Sequence, residues 1–288
     1  MNVTQGELVV RGDGVGSYLY WSDRRVAAIA SDNGINFKGR FNWAVKAAPQ
    51  GVGAEVSNKD RGDLSRFETA RKIEKALGAH AVVGFDTPPR ARFARGVGQV
   101  HMARFTAGPE RDKGALFHIR TASVRGQQVD LVLFGSMDNF LGRVLRPEDA
   151  PETGWFSSAW YAIAELLESR GRENTSQWDD PESLSVEALK VALYQGSSDD
   201  QGEQDRQPWT RGYTLGHADD SEWFAQIYTD VVLTEGRWRL RGSMSGAQRI
   251  LVGAPVWVRT ASQASVTRYA DLRSRATGAD RRRLPFLR

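Results

Sequence analysis

Three strand candidates, 99–106, 115–122 and 128–134, follow one another with turn signals between them. A period of two places alternate side chains on opposite faces of a strand. Neighbouring strands joined by short turns pair antiparallel, so this run predicts a meander. The remaining pattern adds strands at 18–21, 37–47, 52–56, 79–85, 209–215 and 250–258. It adds helices at 23–30, 64–77, 155–171 and 181–196. A further helix is predicted from Asp219 or Asp220 through Val231, because Trp223/Phe224, Ile227 and Val231 recur at helical spacing. Ser22 or Asp23 suits the start of the first helix. Asp63 suits the second, with Gly78 as its stop, and Asp179-Asp180 suits the fourth. The class is α+β: a mixed, mainly antiparallel sheet with packed helices, in one large domain or two small ones.

The divisions are a flexible lead-in at 1–16, an α+β half at 17–150, a helix-rich α+β half at 151–260 and a basic tail at 261–288. Nine Trp and twelve Phe give the core large apolar side chains. Net charge is +4 but unevenly placed. Residues 86–125 carry eight basic and three acidic side chains, residues 172–222 four basic and twelve acidic, and residues 259–288 eight Arg and two Asp. The basic segments suit an anionic small molecule, a nucleotide or an acidic protein partner. The negative balance elsewhere disfavours nucleic acid. A contact between copies, basic segment on acidic segment, would make a homo-oligomer.

The chain has no Cys, which removes disulfides, thiol nucleophiles and thiolate metal sites together. No apolar run reaches the length of a membrane span, and the N-terminus lacks a basic-then-apolar leader. These features point to the cytosol and away from a membrane. Gly12, Gly14 and Gly16 precede a strand, whereas a phosphate loop follows one and opens a helix. In Gly242-Ser243-Met244-Ser245-Gly246 a Met stands where a nucleophile elbow needs Ser. The acidic run 199–205 lacks the glycine placement and final Glu of a helix–loop–helix calcium site. No complete catalytic motif, no metal set and no particular cofactor follow.

What remains is dispersed. His101 and His118 fall on neighbouring strands and, if they face each other, form an acid–base pair or part of a metal site with a carboxylate. Asp23 and Asp138 are the strand-end carboxylates considered for that role. Arg90, Arg92, Arg95 and Arg104 interleave with Phe93 and Phe105, a pattern that binds phosphates and stacks on rings. Ser22 and Asn139 are the polar loop residues placed with them.

Three segments carry a resemblance. Tyr18-Leu-Tyr-Trp-Ser-Asp-Arg-Arg-Val26 resembles the N-terminal Tyr-Leu-Tyr-Ile-Ser-Asp signature of an uncharacterised group of actinobacterial, mainly streptomycete, proteins. Residues 131–142 resemble its central aromatic–Gly and Leu-Gly segment. Ile250-Leu-Val-Gly-Ala-Pro-Val-Trp-Val258 resembles its Leu-Gly-Thr-Pro-Leu-Tyr-Val strand. Trp21, Ala254 and the loop 136–140 depart from the pattern. The resemblance implies a bacterial cytosolic protein and brings no catalytic residue with it. The function expected is a non-catalytic ligand-sensing or protein-interaction module working through the Arg-rich segment. The alternatives are a hydrolase or transferase using His101 or His118, and nucleic-acid binding.

Overall fold

A computed structural model of the protein describes residues 17–37, 65–85, 91–105, 114–141, 180–193 and 213–281. Seven strands form one sheet. They are β1 (Tyr18–Trp21), β2 (Ala81–Val82), β3 (Phe93–Phe105), β4 (Gly114–Ala122), β5 (Gln128–Ser136), β6 (Tyr213–Val232) and β7 (Arg249–Thr260). The α-helices among the described residues are α1 (Asp23–Asp32), α2 (Arg66–Leu77), α3 (Pro181–Leu193) and α4 (Gln263–Arg281). The class is α+β with a mixed, mostly antiparallel sheet, as the alternation predicts.

The meander is present: β3, β4 and β5 pair antiparallel in sequence order. β7 then lies parallel to β5, and β6 lies antiparallel to both β7 and β3. The five strands close into a barrel. Its order, β3-β4-β5-β7-β6 with β5 parallel to β7, is the connectivity of OB barrels. That likeness concerns topology and carries no function. β1 extends the sheet from β7, and β2 runs parallel to β3 at its start. Strands from either side of residue 150 therefore share one sheet.

The alternation decides which residues meet. Phe117, Ile119, Val129, Leu131 and Leu133 join Ala94, Trp223, Ala225 and Leu251 in a cluster fed by all five barrel strands, which is the interior. The intervening Leu116, Val132, Phe134, Ile250 and Val252 face outward and pack against Leu184, Ala188 and Val191 of α3. At the other end, Ile29 of α1 and Ile73 of α2 cover Phe224, Val256 and Trp257.

Local chemistry explains the helix starts. Ser65 and Glu68 form a capping box at α2, so the start falls two residues beyond the expected Asp63. Asp180 accepts from the Glu182 and Ser183 amides (3.1 and 3.2 Å) ahead of α3. Ser22 precedes α1 without a side-chain cap, its amide being used on Val256 O at 2.9 Å.

Two expectations need correction. The helix expected from Asp219 or Asp220 to Val231 is the later part of β6. Trp223 fills the barrel while its neighbour Phe224 packs on the outside, so consecutive apolar residues are both buried. Bulges between Phe224 and Ala225 and between Ile227 and Thr229 further break the period of two. The expected strand at 79–85 contracts to Ala81–Val82 after a short 3₁₀ turn, Gly78–His80. Within 261–288, residues 263–281 form α4, with Tyr269 buried. The glycines 12–16, residues 38–47, the strand at 52–56, the helix at 155–171 and the acidic run 199–205 lie outside the described residues.

Candidate functional site

Two polar centres interrupt the apolar surfaces. The first joins α2, β3, β6, β7 and α4. Cross-strand register sets Glu222 of β6 directly opposite Arg259 of β7. Arg259 meets Glu222 Oε2 through Nε (2.9 Å) and Nη2 (2.7 Å). Arg268 of α4 reaches Glu222 Oε1 with one guanidinium nitrogen and Glu74 Oε2 with the other, the latter at 3.0 Å. Arg95 of β3 donates to the same Glu74 oxygen at 3.2 Å. Ser265 Oγ and Tyr269 OH also donate to Glu222, at 2.7 and 3.2 Å. Arg259 Nη1 donates to Tyr18 OH at 2.9 Å.

The cluster thus sets three guanidinium groups against two carboxylates. Burial pushes Glu74 above its ordinary 4.5, against the opposing pull of Arg268 and Arg95. Burial likewise carries the Tyr18 hydroxyl up to about 12, with Arg259 opposing. Four polar atoms here are buried without a hydrogen-bond partner among the described residues: Glu74 Oε1, Arg95 Nε, Arg268 Nε and Trp223 Nε1. Beside them opens a cleft of about 160 Å³ lined by Arg95, Gly96, Thr121, Trp223, Tyr269 and Arg273, with apolar neighbours. A Cβ on Gly96 would stand 2.7 Å from Trp223 Cζ2, so only glycine lets the indole lie against β3 there.

The second centre is on the outer barrel wall. His101 of β3 is directly opposite His118 of β4 and His217 of β6. Their ring centres are 5.9 and 6.0 Å apart. His118 Nε2 lies 2.8 Å from Oδ1 of Asp130, a fully buried carboxylate on β5. Arg120 Nε donates to that oxygen at 2.8 Å, and Gln128 Nε2 to the other at 2.7 Å. Arg120 Nη2 is anchored on Ser243 O at 2.7 Å. His217 is exposed, with Asp219 at 3.7 Å. Burial lowers the His101 pKa, and the neighbouring His118 and His217 lower it further. Such a dyad can hold a base or a metal ligand in one tautomer. Among the described residues no hydroxyl group hydrogen-bonds His118, so no nucleophile is in place beside it.

Asp130 also tests the electrostatics. Burial pushes its carboxyl up, but hydrogen bonds from His118, Gln128 and Arg120 outweigh burial, and the net direction is below the ordinary 3.8. The folded protein binds that proton more weakly than the unfolded chain does. The stabilisation is therefore present above the ordinary value and is lost as pH falls through the lowered one. Urea unfolding at about pH 6 and about pH 3 should show the wild type losing more stability than Asp130→Asn. Equal losses would contradict the lowered value.

Arg92 is exposed, and its carbonyl accepts from Ile227 N at 2.8 Å. Arg104 pairs with Ala115 and Tyr213 along β3, and its side chain is outside the described residues, as is Arg90 altogether. Asp23 accepts from Trp21 Nε1 at 2.6 Å, and Asp138 from Ser136 Oγ at 3.1 Å. Asn139 donates to Tyr20 OH at 3.0 Å. These three and Ser22 hold β1 and its surroundings, and neither Asp23 nor Asp138 is bonded to a histidine. The carboxylate that meets His118 is Asp130.

A family of unknown function (DUF7019) matches residues 17–262. The chain belongs to this family. The DUF7019 match opens one residue before β1 and ends one residue before α4, so it takes in every strand of the sheet. The helix that brings Arg268, Tyr269 and Arg273 to the first centre follows the matched residues. No curated protein and no solved structure matches the chain. No described helix is long and apolar enough to cross a membrane.

Proposed function

We propose that this protein is a non-catalytic binding module for a small anion, which it takes into the cleft between β3, β6 and α4. The observation that carries the reading is a pair of unpartnered donors, Arg95 Nε and Trp223 Nε1, on buried residues that both line the cleft. A buried polar group without a partner costs on the order of 1–3 kcal/mol, which an acceptor-bearing ligand would remove once a side-chain movement turns the donor, closed to solvent here, toward the cleft. Three guanidinium groups against two carboxylates favour a negative occupant. A space of about 160 Å³ suits a carboxylate or phosphate with a few attached atoms; a whole nucleotide would seat only part of itself. Arg95 belongs to the Arg-rich segment, so the segment contributes through its buried member. The excess of Arg over Lys, the absence of Cys and the Tyr18–Val26 signature support an actinobacterial, cytosolic setting.

Calorimetry of the full chain against inorganic phosphate, pyrophosphate, malonate and nucleoside monophosphates tests this. At least one anion should bind, more weakly as salt rises. Arg95→Gln and Trp223→Phe should each weaken it roughly 10-fold, the cost of one charged or buried hydrogen bond. Trp223→Phe removes the donor and keeps an aromatic ring in the barrel, and circular dichroism of each variant separates loss of binding from loss of fold. No binding by any anion at low salt, or unchanged binding in both variants, overturns the reading.

A further inference from the structure

We propose that the cross-strand pair His101–His118, on the wall away from the cleft, is a binding site for one borderline divalent transition-metal ion of the Zn²⁺, Ni²⁺ or Cu²⁺ class. Position comes first. The two residues are partners in the β3–β4 ladder, so their side chains leave the same face side by side. Their ring centres are 5.9 Å apart and the rings are inclined by 31°. Two imidazoles sharing a tetrahedral ion, each with a metal–nitrogen bond of about 2.0–2.1 Å, have ring centres roughly 5 Å apart. The observed separation is within about 1 Å of that. Among the described residues no three His, Asp or Glu side chains already converge on one point, so solvent completes the coordination.

The surroundings fit a ligand better than a packing contact. Asp130 takes one nitrogen of His118, Nε2, and is itself fixed by Arg120 and Gln128. The other nitrogen, Nδ1, has no hydrogen-bond partner among the described residues. A carboxylate on one ring nitrogen sets the tautomer and leaves the opposite lone pair for a metal. His101 is exposed, which gives an ion access from solvent. Imidazole with water suits borderline ions, whereas Ca²⁺ and Mg²⁺ prefer oxygen ligands. His217 continues the row on the far side of His101. It is too distant from His118 for one ion to join both, which makes it an internal control.

The experiment uses the full chain, stripped by chelation and titrated with Ni²⁺ or Zn²⁺ alone, with calorimetry and histidine-ring NMR as readouts. One ion should bind per chain and shift or broaden the His101 and His118 ring signals. His101→Ala and His118→Ala should each weaken binding at least 10-fold. Asp130→Asn should weaken it roughly 10- to 100-fold, as loss of an orienting carboxylate does elsewhere. His217→Ala should stay within about threefold of wild type. Circular dichroism of each variant separates lost ligation from lost fold. Absence of binding, binding unchanged in folded His101→Ala, or dependence on His217 in place of His118 overturns the proposal. Anion binding at the cleft is scored by a separate titration, so either idea can fail alone.

Discussion

Glu222→Ala is expected to lower the unfolding free energy by about 3–5 kcal/mol, because it strands buried charge. Arg259, 3% exposed, would lose the carboxylate that takes both its Nε and its Nη2. Arg268 would keep only Glu74, and Ser265 and Tyr269 would lose the acceptor they share. Ser265, Arg268 and Tyr269 are all on α4, so the damage should concentrate there. Hydrogen exchange should speed up along residues 263–275 at denaturant concentrations where β4 and β5 remain protected. Glu222→Gln retains the shape and one acceptor but not the charge, and should fall between Ala and wild type. Adding Arg259→Ala to Glu222→Ala should recover part of the loss, since it removes the cation left without a carboxylate. Equal stability of wild type and Glu222→Ala in urea unfolding would mean that α4 is held by its apolar contacts alone.

The same cluster shows what a sequence hides. The meander β3-β4-β5 was readable, because its partners are close in the chain and turn signals separate them. Barrel closure was not. It rests on Arg95 pairing with Phe224 and on Leu131 pairing with Leu251, contacts that no local pattern announces. β6 reads as a helix for a related reason. A strand covered on both faces shows consecutive apolar residues, and its bulges turn the spacing of Trp223, Ile227 and Val231 into a helical one. α4 was passed over because its stripe is thin: Tyr269 is buried, while its other described residues are half-exposed or exposed.

The functional residues divide in the same way. His101 and His118 were found as neighbours from strand order, and the structure sets them face to face. His217 joins them only through the long-range β3–β6 pairing. Asp130, Glu74 and Glu222 were missed, yet Asp130 left a signal: it is a lone carboxylate set against an apolar run, before Leu-Val-Leu-Phe, whereas Glu222 is hidden behind Asp219 and Asp220. A charge buried at such a place needs a partner, so an isolated acid within a predicted core strand is itself a site prediction. Its partner cannot be named until the strands are ordered. Arg95 is expected from the sequence to bind an anion with the rest of the Arg-rich segment, and the fold buries it beside Glu74 with Nε left over.

Gly253→Ala should be the most damaging change of a single methyl group. Gly253 lies at the centre of β7, between Leu133 on β5 and Ile227 on β6. A Cβ there would overlap the backbone oxygen of Gln226 and sit 3.0 Å from the Ile227 Cα. These are backbone atoms, so no rotamer change relieves the clash, and β6 and β7 would have to part at the seam that closes the barrel. Overpacking by one methyl group typically costs about 1–3 kcal/mol, and a backbone obstacle puts this site at about 3 kcal/mol or more. For a chain of this size that corresponds to a fall in Tm of roughly 6–12 °C. Gly98→Ala supplies the control, because a Cβ at Gly98 of β3 meets nothing within 4 Å. Thermal melts of the two variants should therefore differ sharply, although both replace a strand glycine. If Gly253→Ala melted with Gly98→Ala near wild type, the β6–β7 seam would have to be wider than the pairing of Ile227 with Gly253 allows. With it would go the closed wall that holds Trp223 against the cleft and sets His101 between its two neighbours.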